Sequence, residues 1–424
     1  MQSITDEQVN ALKNRIQTEL SNQLPTVNTA TITDEYLIPR VSDLISMFTG
    51  DSLLPSEKQE LITDIINDFL HLGPLEALLA DPTITEIMVN GPEHVYIEQN
   101  GKIIETDIEF ENDAHIRRII DRIAQGVNRR CDEQTPYMDA RLADGSRVNA
   151  TIPPVSIDFP TITIRKFSDR NVTWSDYLAF GSISQNMVSF LRACVRSRCN
   201  ILVSGGTGSG KTTLLNVLSN EIPDDQRIIT IEDSAELKLH KPHVVRMETR
   251  CANTENSGEI TVHDLLVNSL RQRPDRIIVG ECRSIEAIEM LQAMNTGHDG
   301  SLTTVHANNP VSVFSRIETM VLQGNTGLPS RAIKQQIAQA IDLIVHTQRM
   351  LDGSRKVVSI VAVNSNLEGD TIVSEELFRF TQTGINPTTG QIEGYYEGCG
   401  VPSADILDKC SAAGQNLDRA WFFE

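Results

Sequence analysis

The 424-residue chain has no run approaching the roughly 18 to 20 consecutive apolar residues that cross a bilayer. Its first residues, MQSITDEQVN, lack the basic n-region of a secretory signal, so a cytosolic protein is expected. The seven cysteines (Cys131, Cys194, Cys199, Cys251, Cys282, Cys399, Cys410) are scattered, odd in number, and include no C-x-x-C pair. That spacing speaks for reduced thiols and against a zinc site. Basic residues are also scarce: 37 Lys and Arg stand against 57 Asp and Glu, a net charge of −20. Phosphate-backbone binding depends on cationic excess, so no nucleic-acid partner is expected.

What remains is globular in composition, 40% apolar and 22% charged, and long enough for two or three domains. Residues 1–73 read as a helical bundle. Val9, Leu12, Ile16, Leu20 and Leu24 recur at three- and four-residue steps behind a Thr5/Gln8 capping box. A second stripe runs through Leu37, Val41, Leu44, Ile45 and Phe48, and a third, capped by Ser56 and Gln59, through Leu61, Ile62, Ile65, Ile66, Phe69 and Leu70. Residues 74–167 change to strands around one helix, an α+β pattern with an Asn100-Gly101 hairpin signal. In MDARLADGSRVNATI, a three-residue turn through Ser146 pairs Leu142 with Val148 and Arg141 with Asn149. Arg141, Arg147 and Asn149 then share a polar face, and alternation in TITIRKF sets Arg165 opposite to Ile162 and Ile164. Residues 168–184 read as an irregular linker. From 185 to 424 helical and strand patterns alternate as far as about 350, which predicts parallel βαβ units.

The chemistry concentrates in this last region. A buried-strand pattern, Ile201 to Val203, runs into Gly205, Gly206, Thr207, Gly208, Ser209, Gly210, Lys211, Thr212 and Thr213, and then into a helix. This is a phosphate loop in its proper setting. Backbone amides cradle phosphates, Lys211 reaches the terminal oxygens, and Thr212 ligates Mg2+. ATP and Mg2+ are therefore the expected ligands, and the absence of an Asn-Lys-x-Asp motif argues against GTP. RIITIEDSAEL follows, with Glu232, Asp233 and Glu236 at a strand end, suited to a magnesium shell, to orienting water, or simply to capping a helix. In DRIIVGECRS, Glu281 ends a strand as the acid of a Walker B motif, but Gly280 stands where an aspartate is usual. TGHDGSLTTVHANNP ends another strand with His306.

Phosphate loop, acidic box, Gly-Glu Walker B and histidine box, in this order, resemble the secretion-superfamily ATPases of type II and type IV secretion, pilus assembly and conjugation. GPLEALLADPTITEIMVNGPEHVYIEQNGKI and PYMDARLADGSRVNATIPP resemble the tight-adherence (Flp) pilus branch, CpaF/TadA, over roughly residues 70–365. The resemblance implies a RecA-like C-terminal domain, a homo-hexameric ring, and a cytoplasmic location peripheral to an inner-membrane pilus or secretion platform. It further implies ATP between the domains, Arg141, Arg147 and Arg165 as sensors of the terminal phosphates, and His306 as a nucleotide-state sensor, with His298 in the same box. Arg271, Arg273 and Arg283 are read as reaching a neighbouring site in the ring, with local carboxylates as the alternative partners of Arg271 and Arg273. No tetracysteine module follows the Walker B region, which sets the chain apart from the type II secretion and pilus extension branches.

Overall fold

A computed structural model describes residues 6–23, 32–50, 53–99, 101–167, 171–250, 252, 257–325 and 327–423. The chain divides into two compact units, residues 1–169 and 170–424.

The first unit begins with α1 (Asp6–Gln23), α2 (Asp34–Thr49) and α3 (Pro55–Leu70). Their stripes converge on one buried cluster that includes Ile16, Leu20, Leu37, Val41, Ile45, Leu61 and Ile65. Helix α3 starts one residue before the expected Ser56 cap. Leu54 is the N-cap, Pro55 takes the first helical position, where its missing N–H costs nothing, and the Glu57 carboxylate accepts the Leu54 N–H at 2.7 Å. Thr5, Leu24 and Asn100 lie outside the described residues.

Next come α4 (Leu75–Ala80), β1 (Ile84–Asn90), β2 (Val95–Gln99), β3 (Lys102–Glu105), α5 (Asp113–Gly126), β4 (Tyr137–Arg141), β5 (Arg147–Thr151) and β6 (Thr161–Arg165). The strands form an antiparallel sheet in the order β3-β2-β1-β6-β5-β4. Ile116, Ile119, Ile120 and Ile123 of α5 share a core with Val148, Ala150, Ile162 and Ile164. The β4–β5 register differs from the expected one. Arg141 faces Arg147 and Ala140 faces Val148, because the three-residue turn is 143–145 and the Leu142 N–H donates to Ser146 O at 2.8 Å. Asp144 fixes this register by accepting the Ser146 N–H (2.9 Å) and hydroxyl (2.7 Å). The shift is two residues, so every side chain keeps its face.

The second unit contains α6 (Trp174–Ala179), α7 (Gln185–Arg196), β7 (Ile201–Gly205), α8 (Lys211–Ser219), β8 (Ile228–Glu232), β9 (Val244–Glu248), α9 (Val262–Ser269), β10 (Arg276–Cys282), α10 (Ala287–Asn295) and β11 (Leu302–His306). It continues through α11 (Pro310–Gln323), α12 (Ser330–Ala340), β12 (Leu343–Arg349), β13 (Arg355–Glu368), β14 (Thr371–Ile385), β15 (Ile392–Gly398) and α13 (Ala404–Ala412), then a 3-10 turn, Arg419–Phe422. One sheet of order β15-β14-β13-β12-β7-β11-β10-β8-β9 runs through the unit, parallel from β12 to β9 and antiparallel from β12 to β15. This is the α/β arrangement of parallel βαβ units that the alternation predicts, and the RecA-like order that the resemblance implies, with apolar cores on both faces.

Within the segment expected as an irregular linker, 168–184, Trp174–Ala179 is instead a helix. Thr173 and Asp176 form a capping box that starts α6, and Trp174, Tyr177 and Ile183 are buried in the second unit's core. At the other end Phe422 packs against Phe190 and Phe378, with ring centroids 5.3 and 5.2 Å away, while Phe423 is exposed.

Candidate functional site

Strand β7 lies between β11 and β12, so the chain leaves the middle of the parallel sheet at Gly205. A Cβ on Gly205 would come within 2.3 Å of Thr347 O and 2.5 Å of Ser209 Oγ, which excludes any side chain there. Gly210 caps α8 in a left-handed conformation (φ 89°) and offers no side-chain cap. The first amides of α8 are thus left to an external acceptor, and an anion suits them best. Lys211 Nζ donates to Gly206 O at 2.9 Å, curling over the loop it must serve. Ser209 Oγ donates to the same carbonyl at 2.9 Å; Thr207 and Gly208 are exposed, and Thr212 is half-buried ahead of an exposed Thr213.

The loop rests on residues that its motif does not include. Thr347 Oγ1 lies 3.0 Å from Ser209 Oγ, and Arg355 Nε donates to Gly208 O at 2.9 Å. His346 Nδ1 lies 2.8 Å from Ser204 Oγ just before the loop, and burial pulls its pKa down to about 4. The available signal was an apolar strand run, IDLIV, ending in the polar HTQR, the same strand-end pattern that places His306.

Strands β8 and β10 bring the two acids to the same sheet edge. Glu232 is buried. Its Oε2 accepts the N–H of Glu236 (2.8 Å) and Leu237 (2.9 Å), while Oε1 has no hydrogen-bond partner among the described residues. Burial raises its pKa, which suits a carboxylate meant to meet a cation or a proton. Gly280 lies beside it: a Cβ there would be 2.9 Å from Glu232 Cγ. A side chain at the position of the usual Walker B aspartate would therefore press on Glu232. Glu281 accepts from Arg283 Nε (2.9 Å) and Nη2 (2.5 Å), and Arg283 Nη1 donates to Asp233 at 3.2 Å. Arg283 therefore pairs locally.

His306 sits in register with Gly205 and is exposed. Within the same box Gly300 and Ser301 are tied to the fold. Arg276, wholly buried, donates to Gln226 Oε1 (2.7 Å), Gly300 O (3.0 Å) and Val195 O (2.8 Å), and a Cβ on Gly300 would lie 1.7 Å from its Nη1. Asn200 Oδ1 accepts the N–H of Gly300 (2.7 Å) and Ser301 (3.0 Å). The His298 carbonyl accepts the Ser301 hydroxyl at 2.8 Å. Arg271 and Arg273 are exposed.

In the first unit, cross-strand register aligns Arg141, Arg147 and Arg165 in one row over β4, β5 and β6, ending at Glu86 on β1. Arg141 Nε donates to Gly145 O (3.2 Å), and its guanidinium lies 5.6 Å from the Phe167 ring centroid. Arg165 meets Glu86 only at 3.9 Å and is well exposed. On the same two strands Asp139 accepts from Asn149 Nδ2 at 2.9 Å. Like charges directly opposite in a sheet destabilise it, and at the end of the row Glu86 brings the opposite charge to Arg165.

A profile of the family described as type II/IV secretion system protein matches residues 69–384. A protein of Mycobacterium tuberculosis named for conjugal transfer is 36% identical over 303 residues, covering 70% of this chain and 85% of its own. The type IV secretion system protein VirB11 of Brucella suis is 33% identical over 349 residues, covering 75% and 95%. The crystal structure of the VirB11 ATPase from the Brucella suis type IV secretion system, in complex with sulphate, aligns with a TM-score of 0.38 at 31% identity, over 68% of this chain and 94% of that one.

Proposed function

We propose, since the chain belongs to the type II/IV secretion system protein family, that this ATPase works as a ring of six that moves subunits through an inner-membrane platform. The observation that carries the reading is the glycine cradle at the end of β7, with the α8 amides uncapped and the Lys211 ammonium 2.9 Å from a loop carbonyl it can exchange for phosphate oxygens. The cleft chemistry follows from the residues around it. The Thr212 hydroxyl and the unpartnered Oε1 of Glu232 are the fitting ligands for Mg2+, directly or through water. The ion, when bound, neutralises charge on the terminal phosphates. Glu281 orients the attacking water once Arg283 has released it, His306 reports the state of the nucleotide, and Arg141, Arg147 and Arg165 supply positive charge to the terminal phosphates.

Within the family we assign the chain to tight-adherence (Flp) pilus assembly, on the N-terminal motifs quoted above. A second reading, a type IV secretion or conjugation ATPase, is favoured by the names its relatives carry. Among the described residues no helix is long and apolar enough to cross a membrane, so under either reading membrane association runs through partner proteins. Lys211→Ala should abolish ATP turnover with the fold retained, as read by circular dichroism. Turnover at the wild-type rate would sink the assignment of the loop. Affinity purification from membranes separates the two readings: prepilin and pilus-platform proteins support the first, and mating-channel proteins support the second.

A further inference from the structure

Three cysteines far apart in sequence meet in the second unit, behind the strand that feeds the phosphate loop. Cys194 lies near the end of α7, Cys199 just before β7, and Cys410 on α13; their sulfurs all lie within 4.8 Å of one another, and all three side chains are buried. We propose that Cys194, Cys199 and Cys410 form a three-sulfur site for a thiophilic d10 cation, Zn2+ or Cu+, that fastens the C-terminal helix to the strand bearing the phosphate loop.

The geometry is close to what such an ion requires. A metal–sulfur bond of about 2.3 Å in a trigonal arrangement needs sulfurs about 4.0 Å apart, so each has less than about an ångström to move. An all-sulfur donor set closed off from water selects soft closed-shell ions over Mg2+, which is bound by oxygen. The surroundings fit as well. Ser197 Oγ is buried on the turn joining Cys194 to Cys199 and lies beside Cys410, an oxygen available to a fourth position. Lys409, next to Cys410, holds Asp342 at 2.7 Å and lies 3.9 Å from Asp299, which ties α13 to the start of β12 beside the cluster. A metal ion binds the thiolate form, so binding would expel the thiol protons. The spacing argument against a metal site misses this cluster because it looks for ligands close together in sequence.

With the sulfurs enclosed, the ion has to enter during folding, so the test supplies it then. The full chain is produced, and separately refolded under reductant, with Zn2+ alone, with Cu+ alone, or with neither; it is then dialysed against chelator, and bound metal is counted by mass spectrometry. The proposal expects about one tightly held ion per chain, falling at least tenfold in Cys410→Ala. It also expects a higher melting temperature for metal-loaded than for metal-free wild type, a gain absent from the variant. Cysteine packs as a small apolar residue, so Cys410→Ala should fold, and its retained ATPase activity would confirm that it has. Equal metal content in wild type and Cys410→Ala overturns the site. So does a disulfide within the cluster in protein alkylated before reduction, which would make it a redox pair.

Discussion

Gly300 carries a lesson that its neighbours His298 and His306 obscure. It looks like part of a catalytic box, yet its place is set by the Arg276 guanidinium, which leaves no room for a Cβ. Gly300→Ala, with φ at 84° and this clash, should cost about 2–4 kcal/mol in urea unfolding. His306→Gln should leave stability within about 0.5 kcal/mol and act on nucleotide turnover instead. His346 sets a pH dependence. Its folded pKa of about 4 lies below the roughly 6.5 of the unfolded chain, so between these values the unfolded state holds more protons. Its contribution is complete above about pH 6.5 and is lost as pH falls toward 4. Wild type should lose about 2 kcal/mol more than His346→Asn between pH 7.5 and 5, measured by denaturant titration at each pH. The glycines and Lys211 were legible because their motif is contiguous. Thr347, His346 and Arg355 were not, because they reach the loop through strand pairing with residues more than a hundred positions away.

Among the elements, the helical stripes and the strand alternation were legible because each repeats over several turns or pleats. The β4–β5 register was not, since turns of 143–145 and 144–146 leave the same faces buried, and only the Asp144 to Ser146 hydrogen bonds choose between them. The capping box of α6 was written in Thr173 and Asp176, but a six-residue helix is too short to show a period. Trp174→Ala should destabilise the second unit by about 3–5 kcal/mol, which thermal unfolding would register. The arginine row supports a prediction of the opposite kind. Replacing an exposed member, Arg165→Gln, should leave stability within about 0.5 kcal/mol or slightly higher, because it relieves a like-charge neighbour, while ATP turnover falls at least tenfold. A loss of stability with turnover intact would make the row structural.

For the whole molecule, the sequence reads as a helical bundle, an α+β domain and an α/β domain, whereas the chain divides into two compact units, the first of which takes in both the bundle and the α+β region. The strand order was not legible, since β10 and β11 insert between β7 and β8 with no local sign of it. Residues 170–424 produced alone should fold and bind an ATP analogue yet hydrolyse ATP at less than about a tenth of the full-length rate, because the arginines stay behind on the first unit; calorimetry and a phosphate-release assay would check both parts. The Phe190, Phe378 and Phe422 cluster has a consequence for synthesis. One face of the sheet that carries the phosphate loop is closed by Phe422, so that core stays open until synthesis has passed this residue. The first unit can mature earlier in translation, and in the interval the uncovered apolar face of the second unit is where a chaperone would be needed.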